Sequence, residues 1–197
     1  PAYGTVSGKE TPPESAGQWP MYRHDPLRTG GTQARVPAEG LEEKWGVQLK
    51  GALTPPVCAG GNVVAAEKET HTVYAFDADN GTVVWSYTTG APVDSPPAIH
   101  EGLVLLGSTG GWVYCLRLSD GKECWRFQAA PEDRRIMAFG RVASAWPVHG
   151  AVLVQNDVTS SPPKPVVYFT AGRSTYLDGG IHVFGLDPFT GRLLYKT

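Results

Sequence analysis

Trp45, Trp85 and Trp125 stand 40 residues apart, Tyr195 follows 70 residues later, and a Gly lies four positions before each of the last three, at Gly81, Gly121 and Gly191. The copies read A-F-D-A-D-N-G-T-V-V-W from Ala75, C-L-R-L-S-D-G-K-E-C-W from Cys115 and G-L-D-P-F-T-G-R-L-L-Y from Gly185. A period near 40 in β-type sequence is the signature of propeller blades, each a four-stranded sheet that cannot bury its faces without neighbours.

The pattern inside each unit agrees. A Pro pair opens it, at Pro55 and again at Pro96, and an apolar run through Val63-Val64 or Leu103 to Leu106 follows. Next comes V-Y-A-F-D at Val73 or V-Y-C-L-R at Val113, whose alternation predicts a half-buried third strand. The turns D-N-G and S-D-G supply residues that reach positive φ, the conformation that joins adjacent antiparallel strands before the Trp strand. With 24 Gly and 17 Pro in 197 residues, long helices have little room. The expectation is an all-β fold, a β-propeller of four-stranded antiparallel blades of which the chain carries about three plus one strand around Trp45.

On this reading residues 1-40 are an N-terminal extension packing on the propeller, and 41-197 hold the blades. The units span about Leu53 to Tyr87, Ser95 to Phe127 and Val142 to Tyr195. The third is enlarged by insertions at about 129-145 and 156-165. The second of these, N-D-V-T-S-S-P-P-K-P, reads as an exposed loop without structure of its own. Three blades and a strand do not close a ring, so the chain is expected to be the N-terminal part of a longer propeller, its partner being the C-terminal blades or another protein. An open or dimeric arrangement is the alternative.

Several classes receive no support. A net charge of -2 with scattered basic residues gives no footprint for nucleic acid. No run approaches the roughly 18 apolar residues of a membrane span. Cys58, Cys115 and Cys124 form no C-x-x-C pair, and Cys115 and Cys124 read as small core residues beside the repeat anchor. The five His residues lack zinc-site spacing. The Asp77-Ala78-Asp79 and Asp178-Gly179-Gly180 stretches lack a calcium-loop pattern, Ser174 lacks the nucleophile elbow, and the Gly-Gly pairs read as turns.

The most unusual segment is Glu132-Asp133-Arg134-Arg135, in an insertion ending at Trp146-Pro147-Val148-His149. Arg134 and Arg135, beside Trp146 and His149 and joined by Arg173, Tyr176 and Asp178 from a neighbouring loop, have the chemistry to hold a carboxylate or phosphate bidentately. The competing reading is local ion pairing that fixes the loop and binds nothing.

The pattern A-x-D-x-x-[TN]-G-x-x-x-W, met here at Ala75, Asp77, Asn80, Gly81 and Trp85, resembles the tryptophan-docking motif of the pyrroloquinoline quinone (PQQ)-like propeller superfamily. The second copy departs from it at Cys115 and Arg117, keeping Gly121 and Trp125; the third recovers with Asp187, Thr190, Gly191 and Tyr195. The stretch W-P-M-Y-R-H-D-P-L-R-T-G from Trp19, with A-P-E-D-R-R to Y-L-D-G-G, is similar to bacterial PQQ-binding-like β-propeller repeat proteins. The resemblance implies eight blades, an indole packed between neighbouring blades, and a periplasmic or extracellular location.

Function divides within that superfamily. Its quinoprotein dehydrogenases sandwich PQQ between a Trp and a vicinal disulfide and hold calcium or a lanthanide with Glu, Asn and Asp. No residue of that site carries over to this chain, which has no Cys-Cys pair. Other members are non-catalytic scaffolds, similar in kind to the lipoprotein of the outer-membrane barrel-assembly machinery. The expectation is therefore a non-catalytic binding or scaffolding module with no cofactor. The alternative is a dehydrogenase fragment using PQQ with calcium, in which Arg134, Arg135 and Arg173 would meet the quinone carboxylates.

Overall fold

The computed structural model describes residues 17–138 and 140–197. Three antiparallel four-stranded sheets follow one another along the chain. The first has β1 (Val57–Ala59), β2 (Asn62–Glu67), β3 (Thr72–Asp77) and β4 (Val83–Thr88). The second has β5 (Ala98–His100), β6 (Leu103–Gly107), β7 (Trp112–Arg117) and β8 (Glu123–Gln128). A two-stranded hairpin, β9 (Arg135–Ala138) and β10 (Arg141–Ser144), precedes the third sheet of β11 (Leu153–Asp157), β12 (Lys164–Ala171), β13 (His182–Leu186) and β14 (Leu193–Lys196). Strands within each sheet pair in sequence order, and β5 lies against both β1 and β11, so the first strands are innermost. These are propeller blades.

The middle blade is buried on both faces, which the half-buried expectation for its third strand did not anticipate. In β6, Leu103 and Leu105 point into a cluster shared with the third blade, while Val104 and Leu106 point into one shared with the first. In β7 the same split separates Val113 and Cys115 from Tyr114 and Leu116. Successive side chains of a strand point to opposite faces, so a continuous apolar run is what a sheet sandwiched between two others requires.

A β-bulge recurs where the third and fourth strands of each blade pair, beside Ala75, Cys115 and Gly185. These residues stand opposite Trp85, Trp125 and Tyr195. An extra residue at this point increases the local twist and re-aims the side chains beside it. Each indole then reaches the next blade. Trp45 Nε1 donates to Ala78 O at 3.0 Å, Trp85 Nε1 to Leu118 O at 2.7 Å and Trp125 Nε1 to Pro188 O at 2.8 Å.

The glycine three residues after each accepting carbonyl lies under the ring. At Gly81, Gly121 and Gly191 φ is 74°, 68° and 68°, and a Cβ there would stand 2.6, 2.6 and 2.7 Å from an indole carbon. Both the left-handed backbone and the ring contact exclude a side chain. Asp77 and Asp187 brace their turns by accepting two backbone N–H groups each, at 2.9 and 3.1 Å and at 2.9 and 3.0 Å. In the middle copy Arg117 pairs instead with Asp120 at 3.1 Å, and the bond from Gly121 N to Arg117 O, 2.8 Å, keeps the turn closed.

Three local expectations need correction. The segment around Trp45 holds its indole in the docking position without forming a strand. Val142 lies in β10, outside the third blade, whose first strand starts at Leu153. The N-D-V-T-S-S-P-P-K-P stretch is partly ladder: Asn156 pairs with Pro165 and Asp157 with Lys164, leaving 158–163 as the turn. Pro165 is tolerated because β12 pairs only with β11 there, its pairing with β13 beginning at Val167, so one edge of the strand carries no ladder at the proline. Residues 17–26 run along the inner strands: Trp19 and Cys58 exchange backbone hydrogen bonds of 2.8 and 2.9 Å, Ile99 N donates to Pro20 O, and Met21 is buried. The first part of the N-terminal extension, residues 1–16, lies outside the described residues, as does residue 139.

Candidate partner-binding rim

The first insertion folds as the β9–β10 hairpin, with Val142 directly opposite Met137 and Ser144 opposite Arg135. Alternating residues on either side of Gly140, φ 73°, make the hairpin possible. Its base is fixed by the bonds from Ser144 N to Thr109 O and Ala145 N to Arg134 O, both 2.9 Å. Its tip is held by Arg141, which reaches Glu69 at 3.7 Å and Asp94 at 3.8 Å.

Four of the sequence-predicted site residues meet at one point. Asp178 accepts from Arg173 Nε at 2.7 Å through one carboxylate oxygen and from Arg134 through the other. The Arg134 guanidinium also lies over the Trp146 ring, 4.7 Å from its centroid, while Trp146 Nε1 donates to Asp178 O at 2.6 Å. The hydrogen bond from Arg173, reinforced by the charge of Arg134, holds the Asp178 carboxyl below the usual carboxylate range. One aspartate thus ties the hairpin insertion to the loop before β13, from a left-handed backbone position at φ 59°.

The other three stand apart. Arg135 pairs with Asp133 at 3.1 Å and turns toward a groove of about 570 Å³ lined by Tyr87, Trp112, Tyr114 and Arg126. His149 faces Asp94 at 3.9 Å. Tyr176 is 93% exposed. Arg134, Arg135 and Arg173 all have carboxylate partners, which is the ion-pairing arrangement and leaves none of the three as a free anion clamp.

Sequence reasoning passed over the apolar members of this rim. Met137 is 72% exposed and Val142, its cross-strand partner, 54%. Leu177 and Ile181, flanking the Asp178 lock, are each nearly half exposed beside Tyr176. The available signal was the alternation I-M-A on one side of Gly140 and R-V-A on the other, which puts Met137 and Val142 on one face of a hairpin.

Among the described residues, the groups that would stack on a quinone and hold its metal are not brought together. The three cysteines are free and stand on separate strands, and among the described residues no three His, Cys, Asp or Glu side chains are grouped to hold a cation. Among the described residues no helix is long and apolar enough to cross a membrane.

Residues 23–197 match the family model described as outer membrane protein assembly factor BamB. Among curated relatives, the protein of that description from Nitrosomonas eutropha is 27% identical over 124 residues, covering 61% of this chain and 30% of its own length. The one from Yersinia pestis is 33% identical over 73 residues, 37% of this chain and 19% of its own length. The chain therefore spans a third or less of each. Among solved structures, a europium-containing methanol dehydrogenase superposes with a TM-score of 0.66 at 19% identity, covering 93% of this chain and 32% of its own. The quinohemoprotein alcohol dehydrogenase from Comamonas testosteroni gives 0.67 at 18%, covering 91% and 27%. At such identity the likeness is one of fold.

Proposed function

The chain belongs to the family described as outer membrane protein assembly factor BamB, and on that premise we propose that it is a non-catalytic binding and scaffolding module. Its partner is a protein of outer-membrane assembly, met in the periplasm and held on the rim made by the third-blade insertions. The observation that carries this reading is the Asp178 lock: Arg134 and Arg173 are neutralised from within, while Met137 and Val142 on the hairpin and Tyr176, Leu177 and Ile181 on the loop before β13 are exposed to solvent. Exposed apolar side chains beside satisfied charges are the composition of a protein-binding patch, in which aromatic and Met anchors contribute the affinity.

The relatives' description supports the same class of work, and the dehydrogenase likeness supplies only the propeller. No step through a quinone is derived, because the described residues lack its stacking and metal-holding groups. The test is a pair of charge substitutions on the exposed hairpin face, Met137→Lys with Val142→Lys. Loss of co-purification with the host's outer-membrane assembly proteins, at an unchanged melting temperature, supports the reading. Retained co-purification overturns the assignment to this rim.

A further inference from the structure

Cys115 and Cys124 occupy the bulge of the middle blade. Cys115 stands opposite Trp125 and Leu116 opposite Glu123, so Cys124 is the extra residue that has no partner of its own. A bulge turns the two residues of the longer strand toward the single residue facing them, which brings Cys124 onto the side of Cys115. The corresponding positions are Ala75 and Val84 in the first blade and Gly185 and Leu194 in the third; the middle blade alone carries thiols at both.

Both side chains lie on the face shared with the third blade, Cys115 inside that core cluster and Cys124 packed against it. Cys115 is fully buried, its Sγ 3.9 Å from Pro188 O at the third blade, and Cys124 is partly exposed. At the bulge Cys124 and Trp125 together face Cys115, across a strand pair whose opposed Cα atoms stand about 4.5–5.5 Å apart, within the roughly 4.4–6.8 Å over which a disulfide reaches.

We propose that Cys115 and Cys124 are a redox pair that closes to a cross-strand disulfide by exchange with a low-molecular-weight disulfide, stapling the bulge that presents Trp125 to the third blade. The accessible member attacks first. The neighbouring Cys115 side chain first, with Arg117 adding to it against burial and the Asp120 charge, brings the Cys124 thiol down to about 7, so near neutral pH it is substantially thiolate. Cys124 attacks one sulfur of oxidised glutathione, forming a mixed disulfide and releasing one glutathione thiolate. Cys115 then attacks Cys124 Sγ, its proton passing to the second departing glutathione thiolate. Two protein thiols are oxidised to one disulfide and one glutathione disulfide is reduced to two thiols.

The experiment uses the whole chain, incubated with oxidised glutathione and then mapped by mass spectrometry. Cleavage after Arg117 and Lys122 separates the two cysteines, so a disulfide joins two peptides that are otherwise distinct. The expected result is that linked peptide, lost on reduction, with Cys58 absent from it and no glutathione retained at Cys124. Cys115→Ala should instead trap one stable glutathione on Cys124. A stable glutathione adduct on Cys124 with Cys115 still reduced in the unaltered chain overturns the proposal. So do two free thiols in folded protein after prolonged exposure, or a link from Cys124 to Cys58.

Discussion

Trp85 of the first blade seats on Gly121 of the second: the indole N–H donates to Leu118 O at 2.7 Å, and a Cβ on Gly121 would stand 2.6 Å from the ring. The relation recurs from Trp45 to Gly81 and from Trp125 to Gly191, so each blade's glycine turn is shaped for the indole that precedes it in the repeat. Trp85→Ala should therefore destabilise by about 3–5 kcal/mol, as loss of a well-buried large aromatic does. Gly121→Ala should also destabilise, through the left-handed backbone and the ring contact together. Denaturant melts of both variants and the double variant should show a coupling of roughly 0.5–3 kcal/mol, because the alanine loses its obstacle once the ring is gone. Strict additivity would separate the two residues energetically and remove the docking relation.

Glu67 is only 2% exposed yet ionised, accepting from Thr70 Oγ1 at 2.6 Å and Gly51 N at 2.5 Å. The Thr70 bond first, then the backbone bond, holds its carboxyl below the ordinary value. A folded value depressed below the unfolded one gives stability that is complete above the unfolded value, about 4.3, and lost as pH falls through the folded one. Denaturant midpoints should fall on acidification over that window. Glu67→Gln should be less stable at neutral pH and should show a shallower acid slope; an equal slope would mean other carboxylates carry it.

Asp178→Asn should release Arg134 and Arg173 together, since both bond the same carboxylate. Hydrogen exchange should quicken in 134–146 and 173–182 while the blade strands keep their protection. Inorganic phosphate should bind the variant more tightly than the unaltered chain, because two guanidinia lose their internal anion. Equal or tighter phosphate binding by the unaltered chain would establish a free anion site and reject the lock.

Incubation with PQQ and calcium should give neither stoichiometric quinone absorbance nor alcohol-dependent dye reduction. Both signals together would show that the cofactor's groups are present and would defeat the non-catalytic reading.

The blades were legible in the sequence because the Gly-x-x-x-Trp interval and the paired turns are local constraints, each fixed by backbone chemistry. What Trp85 and Trp125 touch was open to sequence only through resemblance, since the accepting carbonyls of Leu118 and Pro188 lie 33 and 63 residues away. The two-faced burial of β7 depends on what lies on either side of it, which alternation within V-Y-C-L-R does not encode. At the rim, residue types singled out Arg134, Trp146, Arg173 and Asp178, and the fold brought these four together. It left Arg135, His149 and Tyr176 outside, because hairpin register and loop path place them. The apolar pair of Met137 and Val142 went unnoticed since it depends on a hairpin register, set by the Gly140 turn, that no repeat copy displays.

The partner-binding claim is tested most directly by a photo-reactive amino acid placed at Tyr176, the most exposed aromatic side chain of the rim, in cells producing the protein at its native level. Irradiation should yield a cross-link to a protein of outer-membrane assembly, with none from the same probe at Val84, on the outer strand of the first blade. Efficient cross-linking at Val84 with none at Tyr176 would contradict the account and move the partner surface away from the third-blade insertions.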